Sequence, residues 1–179
     1  RQSIVLLRRT QVGKHAIIRL GERFSRFWKH LGNAGVFIGF GASIFVIITL
    51  VLNLVHAAAV KGTGAASSGL AFLIPSPTQT TVVGPGFLAV PFWYWIIAIA
   101  LLVVVHEGLH GVMAAAGKIK IKSLGWGLLL IIPLAFVEPD EKRLQKKNFM
   151  TQQRVFAAGS LANFMLAAVC LLILVFGFA

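Results

Sequence analysis

The sequence predicts an all-α integral membrane protein: about three transmembrane helices, a short re-entrant or β segment and a basic N-terminal amphipathic helix. Three observations predict it. Of 179 residues, 58% are apolar and 12% charged, whereas soluble domains run near 45–50% and about 25%. Mean hydropathy is +0.86. Three stretches, about 34–55, 92–116 and 155–179, are apolar over the ~20 residues that cross a bilayer. This composition excludes disorder, because disordered chains are polar and charge-rich. It also excludes a water-soluble globule, which cannot cover so much apolar surface.

Residues 1–32 are basic and mixed. Ser3–Leu7 reads as a short strand. From Lys14 to Leu31, Ile17, Leu20, Phe24, Phe27, Trp28 and Leu31 recur at helical spacing, with Arg19, Arg23, Arg26 and Lys29 between them. Such a basic amphipathic helix either lies on an anionic membrane surface or packs on the rest of the protein. The first span, about Ala34–Val55, carries no charge, and Gly35, Gly39 and Gly41 suit close helix contact. Its polar Ser43, Thr49 and Asn53 are expected to bond the backbone or a neighbouring helix.

Residues 57–91 are rich in Gly, Ala, Ser, Thr and Pro, an extended loop with short strands expected at Leu70–Ile74 and Gln79–Val83. Trp93, Tyr94 and Trp95 open the second span as an interfacial aromatic belt, and Gly117-Lys118 closes it. Lys and Ile then alternate over Lys118–Lys122 with the period of a strand. Leu124–Val137 is apolar but too short to span, and Gly125, Gly127 and Pro133 break it. A re-entrant hairpin or a buried strand pair fits better. Glu138–Lys147 reads as a polar loop before the third span.

The net charge of +12, from 17 bases and five acids, would suggest nucleic acid in a soluble chain. Here the charges sort by side. Residues 1–32 hold eight bases and one acid, and residues 117–154 hold eight bases and three acids. The 57–91 loop holds Lys61 alone. The positive-inside rule puts the two basic segments in the cytoplasm and the loop outside. No nucleic-acid partner is needed. Cys170 has no second cysteine to pair with and leaves the redox compartment open.

Inside the second span stands His106-Glu107-Gly108-Leu109-His110. Residues i and i+4 share a helix face, so both imidazoles can bind one zinc, and Glu107 can take a proton from water activated by that metal. A polar cluster lining the bundle without metal is the alternative. A carboxylate at mid-span costs about 2.5–3.5 kcal/mol on insertion scales, so these residues need partners. At 1.5 Å per residue, His106 and His110 stand about 16 and 10 Å from Gly117, inside the hydrocarbon zone. Water and substrate would then have to meet within the membrane, as in intramembrane proteolysis. Asn163 lies about 13 Å into the third span by the same rise. Its carboxamide either donates to a scissile carbonyl or bonds a neighbouring helix.

Three passages together resemble the site-2 protease family of intramembrane zinc metalloproteases, especially its archaeal-type members: Val103–Gly111, Ala135–Glu141 and Phe156–Phe164. The resemblance spans about Phe92–Ala168, and Ile4–Trp28 looks similar too. It implies a zinc metalloendopeptidase that cuts transmembrane segments of membrane-tethered proteins, in regulated intramembrane proteolysis. His106 and His110 would be zinc ligands, Glu107 the general base and Asn163 a catalytic residue that positions or polarises substrate. Leu124–Val137 would line the substrate path. The implied partners are a transmembrane-helix substrate and the lipid bilayer, and the implied location is the cell membrane.

On this reading residues 1–32 form a cytoplasmic segment and residues 33–179 a membrane-embedded metalloprotease core. Two departures stand out. Ser160 replaces the proline the family usually has after Ala-Ala-Gly. The family's third ligand, an aspartate in an Asp-Gly motif, is absent, and His56 ends the first span at the wrong depth to replace it. The expectation is that this ligand lies beyond Ala179 in a longer parent, so that the fragment alone is inactive. The other readings are a non-catalytic scaffold or binding protein that holds no metal, and a prenyl-protein-type membrane metalloprotease.

Overall fold

A computed structural model describes residues 5–59, 72–77, 80–84, 87–129 and 132–177. Strand β1 (Val5–Thr10) leads into α1 (Lys14–Arg23) and α2 (Ser25–Ala59). Strands β2 (Phe72–Ser76), β3 (Val82–Gly84) and β4 (Phe87–Pro91) precede α3 (Phe92–Ala116). Strands β5 (Ile121–Leu129) and β6 (Ile132–Pro139), the short α4 (Glu141–Gln145) and α5 (Phe149–Gly177) complete the order. The protein is mostly helical, and three helices are long and apolar enough to cross a membrane: Ser25–His56, Phe92–Ala116 and Phe149–Gly177.

The all-α expectation is too narrow, because the described residues also form two three-stranded sheets. One has the order β1-β5-β6 and is antiparallel throughout. The other has the order β2-β4-β3. The expected hairpin over Leu124–Val137 is the β5–β6 pair, in register from Leu124↔Val137 to Leu129↔Ile132. Pro133 and Pro139 lie on β6, an edge strand, where a missing N–H can face away from the ladder. The loop strands are found at β2 and β3, while Leu70, Ala71 and Gln79 lie outside the described residues, as do Ser3 and Ile4 before β1.

The amphipathic run Lys14–Leu31 is two helices, with Phe24 at φ −111°, ψ 35° between them. Trp28 Nε1 bridges that break by donating to the Leu20 carbonyl at 3.0 Å. The second half of the run is continuous with the first span, so α2 starts at Ser25 and passes residues 32 and 33 without interruption. Similarly α5 starts at Phe149, and Asp140 caps α4 by accepting from the Arg143 N–H at 3.3 Å. Helix extends past the apolar windows in both places because backbone pairing continues where hydropathy falls.

The chain divides into two compact units. Residues 41–98 form one, with the second sheet. Residues 1–40 and 99–179 form the other, which holds β1, α1, β5, β6, α4, α5 and the C-terminal part of α3. Its core gathers Leu109, Val112, Met113 and Ala114 of α3 with Val155, Ala158, Leu161 and Ala162 of α5, and Ile17, Trp28 and Leu31 pack against it. Small residues set the spacing. A Cβ at Gly35 would stand 2.8 Å from Leu161 Cδ2, whereas Gly39 and Gly41 have open space beside them. A Cβ at Gly21 would stand 2.6 Å from both Ala115 Cβ and the Val112 carbonyl oxygen, so α1 packs directly on the end of α3. In the first span, Thr49 Oγ1 donates to the Phe45 carbonyl and Asn53 Nδ2 to the Thr49 carbonyl, each at 2.8 Å, as expected for polar groups in an apolar helix.

Candidate metal centre

Helix α3 brings His106, Glu107 and His110 together. The two imidazoles sit on successive turns, with centroids 5.0 Å apart and planes at 65°. With Zn–N at about 2.0–2.1 Å and tetrahedral coordination, two rings on one zinc hold their centroids about 5 Å apart. The pair therefore fits a shared metal. His110 Nδ1 lies 2.6 Å from the Val155 carbonyl oxygen of α5. A carbonyl only accepts, so Nδ1 carries the proton and Nε2 keeps its lone pair for a metal, the usual tautomer control for a ligating histidine.

His106 lies against the backbone of Gly159 on α5. A Cβ there would overlap its Nε2, Cε1 and Cδ2 together, as expected for a ring lying face-on. The in-plane lone pairs of that ring are therefore directed elsewhere. Two pairings, His110 with Val155 and His106 with Gly159, run in opposite directions along the two helices. So α3 and α5 are antiparallel here, and Val155 and Gly159 form one i, i+4 face. Asn163 continues that face one turn on.

By this register the Asn163 backbone is level with Leu102, one turn beyond His106, rather than level with the histidines. Side chains on a helix lean toward its N-terminus, which for Asn163 is toward Gly159. Its Oδ1 is buried and has no hydrogen-bond partner among the described residues. Buried acceptors are nearly always paired in finished structures, so this atom faces a place where a polar group belongs.

Glu107 is held from the sheet. Its Oε2 accepts from the Val137 N–H of β6 at 3.0 Å. Val137 is opposite Leu124 in the β5–β6 register, and its N–H points away from β5, toward α3. One strand edge thus fixes one carboxylate oxygen and leaves the other open. Glu138, the next residue, accepts from the Ser123 hydroxyl at 2.6 Å and lies 3.9 Å from Arg9 Nη2. It ties the three strands together and is turned away from Glu107. Asp140 is occupied as the α4 cap.

Among the described residues no group of three His, Cys, Asp or Glu side chains could hold a metal ion. What α3 brings together is two imidazoles and an adjacent carboxylate. Sequence reasoning missed Val155, Gly159 and Val137, which act through backbone or through the lack of a side chain. Gly159 alone carried a readable sign, since it lies four residues before Asn163 in a helix where Gly is otherwise unfavourable.

Residues 94–179 match the profile of Peptidase family M50. The chain is also similar to the uncharacterized protein MJ0971 of Methanocaldococcus jannaschii, 30% identical over 157 residues. That alignment covers 87% of this chain and 39% of the relative, so the chain spans well under half the relative's length. No solved structure matches the chain.

Proposed function

Because the chain belongs to peptidase family M50, the site-2 protease family, as an archaeal-type member, we propose that it carries the catalytic core of an intramembrane zinc metalloprotease. The single observation that best supports this is the pair of α3 imidazoles at ligating separation, each seated on α5, with Glu107 beside them. His106 and His110 would hold zinc. When bound, zinc lowers the pKa of a water to about 7 and polarises the scissile carbonyl.

Glu107 acts as general base through the carboxylate oxygen that Val137 leaves open, and then returns the proton to the leaving amine. The Val137 N–H keeps the other oxygen in place, so the proton is taken at a fixed position. Asn163 offers its carboxamide to the substrate carbonyl or to the developing oxyanion. Substrate enters extended along β6. On an antiparallel edge strand, alternate residues turn both backbone groups outward. The Val137 bond to Glu107 sets that phase, so Ala135 shares it and can pair with an added strand.

The cleaved bond belongs to a transmembrane segment of a membrane-tethered protein, as in regulated intramembrane proteolysis. The three apolar helices support a multi-pass membrane protein. We assign it to the cell membrane with residues 1–32 and 117–154 cytoplasmic, on the charge asymmetry. The test is Glu107→Gln in the full-length protein. Cleavage of a transmembrane-segment substrate is expected to stop while bound zinc stays at the wild-type ratio. Cleavage at the wild-type rate would overturn the assignment.

A further inference from the structure

At the C-terminal end of α3 lies a cavity of about 570 Å³, framed by α1, the turn after α3, the start of β5 and α4. It is separate from the histidine pair. Lys14, Lys118, Lys120 and Arg143 line it, against one acid, Glu22, and Ile119 contributes to an apolar floor. Such volumes suit a small ligand. Among the described residues Lys118 and Lys120 have no ion-pair partner. Lys14 Nζ donates to the Lys122 carbonyl at 3.0 Å, which fixes one ammonium at the rim. Arg143 is shared with Asp140 at 3.6 Å.

The backbone gives an independent sign. Lys118 sits at φ 56°, in the left-handed region. The Ile119 N–H reaches the Ala114 carbonyl and the Lys118 N–H the Ala115 carbonyl, both at 2.9 Å. This is the helix-ending turn whose left-handed position is usually glycine. Lysine holds that position here and carries its strain. Attraction of cations to a helix C-terminus would be met equally by Lys120, and does not require a lysine at the strained residue. Strained residues concentrate where a site is built.

We propose that this cavity is a phosphate-binding site, filled in the bilayer by the headgroup of an anionic phospholipid. The cavity begins at the last turn of a spanning helix, where headgroup meets hydrocarbon, and basic pockets between helices on the basic side recognise such headgroups. A bound phosphate would link Lys14 of α1 to Lys118 and Lys120 after α3. It would thereby hold Ile17 of α1 in place over Gly111, where a Cβ would stand 2.9 Å from Ile17 Cγ2, one residue from His110. The proposal does not depend on the proteolytic reading.

The test uses the full-length protein in neutral detergent, with native mass spectrometry reading retained lipid. The probes are dihexanoyl phosphatidylglycerol, dihexanoyl phosphatidylcholine and inorganic phosphate. Phosphatidylglycerol should be retained as one adduct, and phosphatidylcholine should not. Lys118→Gln with Lys120→Gln should weaken phosphatidylglycerol retention about tenfold or more. Arg26→Gln with Lys29→Gln, outside the cavity, should leave it unchanged. Lys118→Gly should also weaken retention while melting no lower than wild type, which separates ligand loss from unfolding. Equal loss in the Arg26 and Lys29 variant, or equal retention of phosphatidylcholine, would overturn the site. Displacement of the lipid by inorganic phosphate at equal concentration would overturn the lipid and leave free phosphate as the ligand.

Discussion

Replacing Gly159 by alanine places a methyl group where the His106 imidazole lies. Even the third-nearest ring atom, Cδ2, would stand 2.6 Å from the new Cβ, against 3.4 Å or more for ordinary contact. The ring must therefore withdraw by more than about 0.8 Å, since Nε2 and Cε1 lie nearer still, or change rotamer, or α5 must move off α3. The second route is blocked by the His110 bond to Val155 and by Leu161 against Gly35. The displacement falls on His106, and a misplacement of about 1 Å at a reacting centre costs on the order of 100-fold in rate. The assay pairs cleavage of a transmembrane-segment substrate with metal content and the absorption spectrum of the cobalt-substituted protein. We expect Gly159→Ala to lose about 100-fold in kcat/KM and to alter the cobalt spectrum, with the melting temperature close to wild type. Ser160→Ala, on an exposed neighbour, should match wild type in all three. Wild-type cobalt spectrum and rate in Gly159→Ala would refute the view that this glycine seats His106.

Val137→Pro removes the N–H that Glu107 accepts without removing a bond to β5. A hydrogen bond to a charged group is worth about 1.5–3 kcal/mol, so kcat should fall roughly 10- to 100-fold with metal content unchanged, whereas an unchanged kcat would remove Val137 from the site. Gly21→Ala sets a methyl against the Val112 carbonyl and Ala115, so α1 should undock and the 10–24 segment become a site of limited proteolysis. Lys118→Gly should stabilise the protein by up to about 1 kcal/mol, visible as a rise of roughly 2–4 °C in melting temperature. A fall would show that the lysine itself holds the turn.

The histidines and glutamate were legible because three polar groups in an apolar span have few explanations, and helical geometry fixes their common face. The sheet was half legible. The short, broken Leu124–Val137 segment pointed to strands, and the β5–β6 pair is there. The alternation over Lys118–Lys122 placed its strand too early, because Lys118 and Ile119 close α3 and β5 begins at Ile121. Its pairing with β1 joins residues more than a hundred positions apart, and no local pattern encodes that partner. The run from Lys14 to Leu31 looked like one helix because apolar spacing continues across Phe24. The backbone breaks at Phe24, and α1 packs on α3 through Gly21, a contact between distant residues that local spacing does not encode.

Composition, span length and the histidine spacing were determined by the sequence alone, since each rests on transfer energies and helix periodicity within a local segment. The tertiary structure alone decided which backbone atoms serve the site. The Val155 carbonyl sets the His110 tautomer, the Val137 amide holds Glu107, and the bare Cα of Gly159 receives the His106 ring. Every residue but proline carries the same amide and carbonyl, so their roles are assigned by where packing puts them and not by residue type.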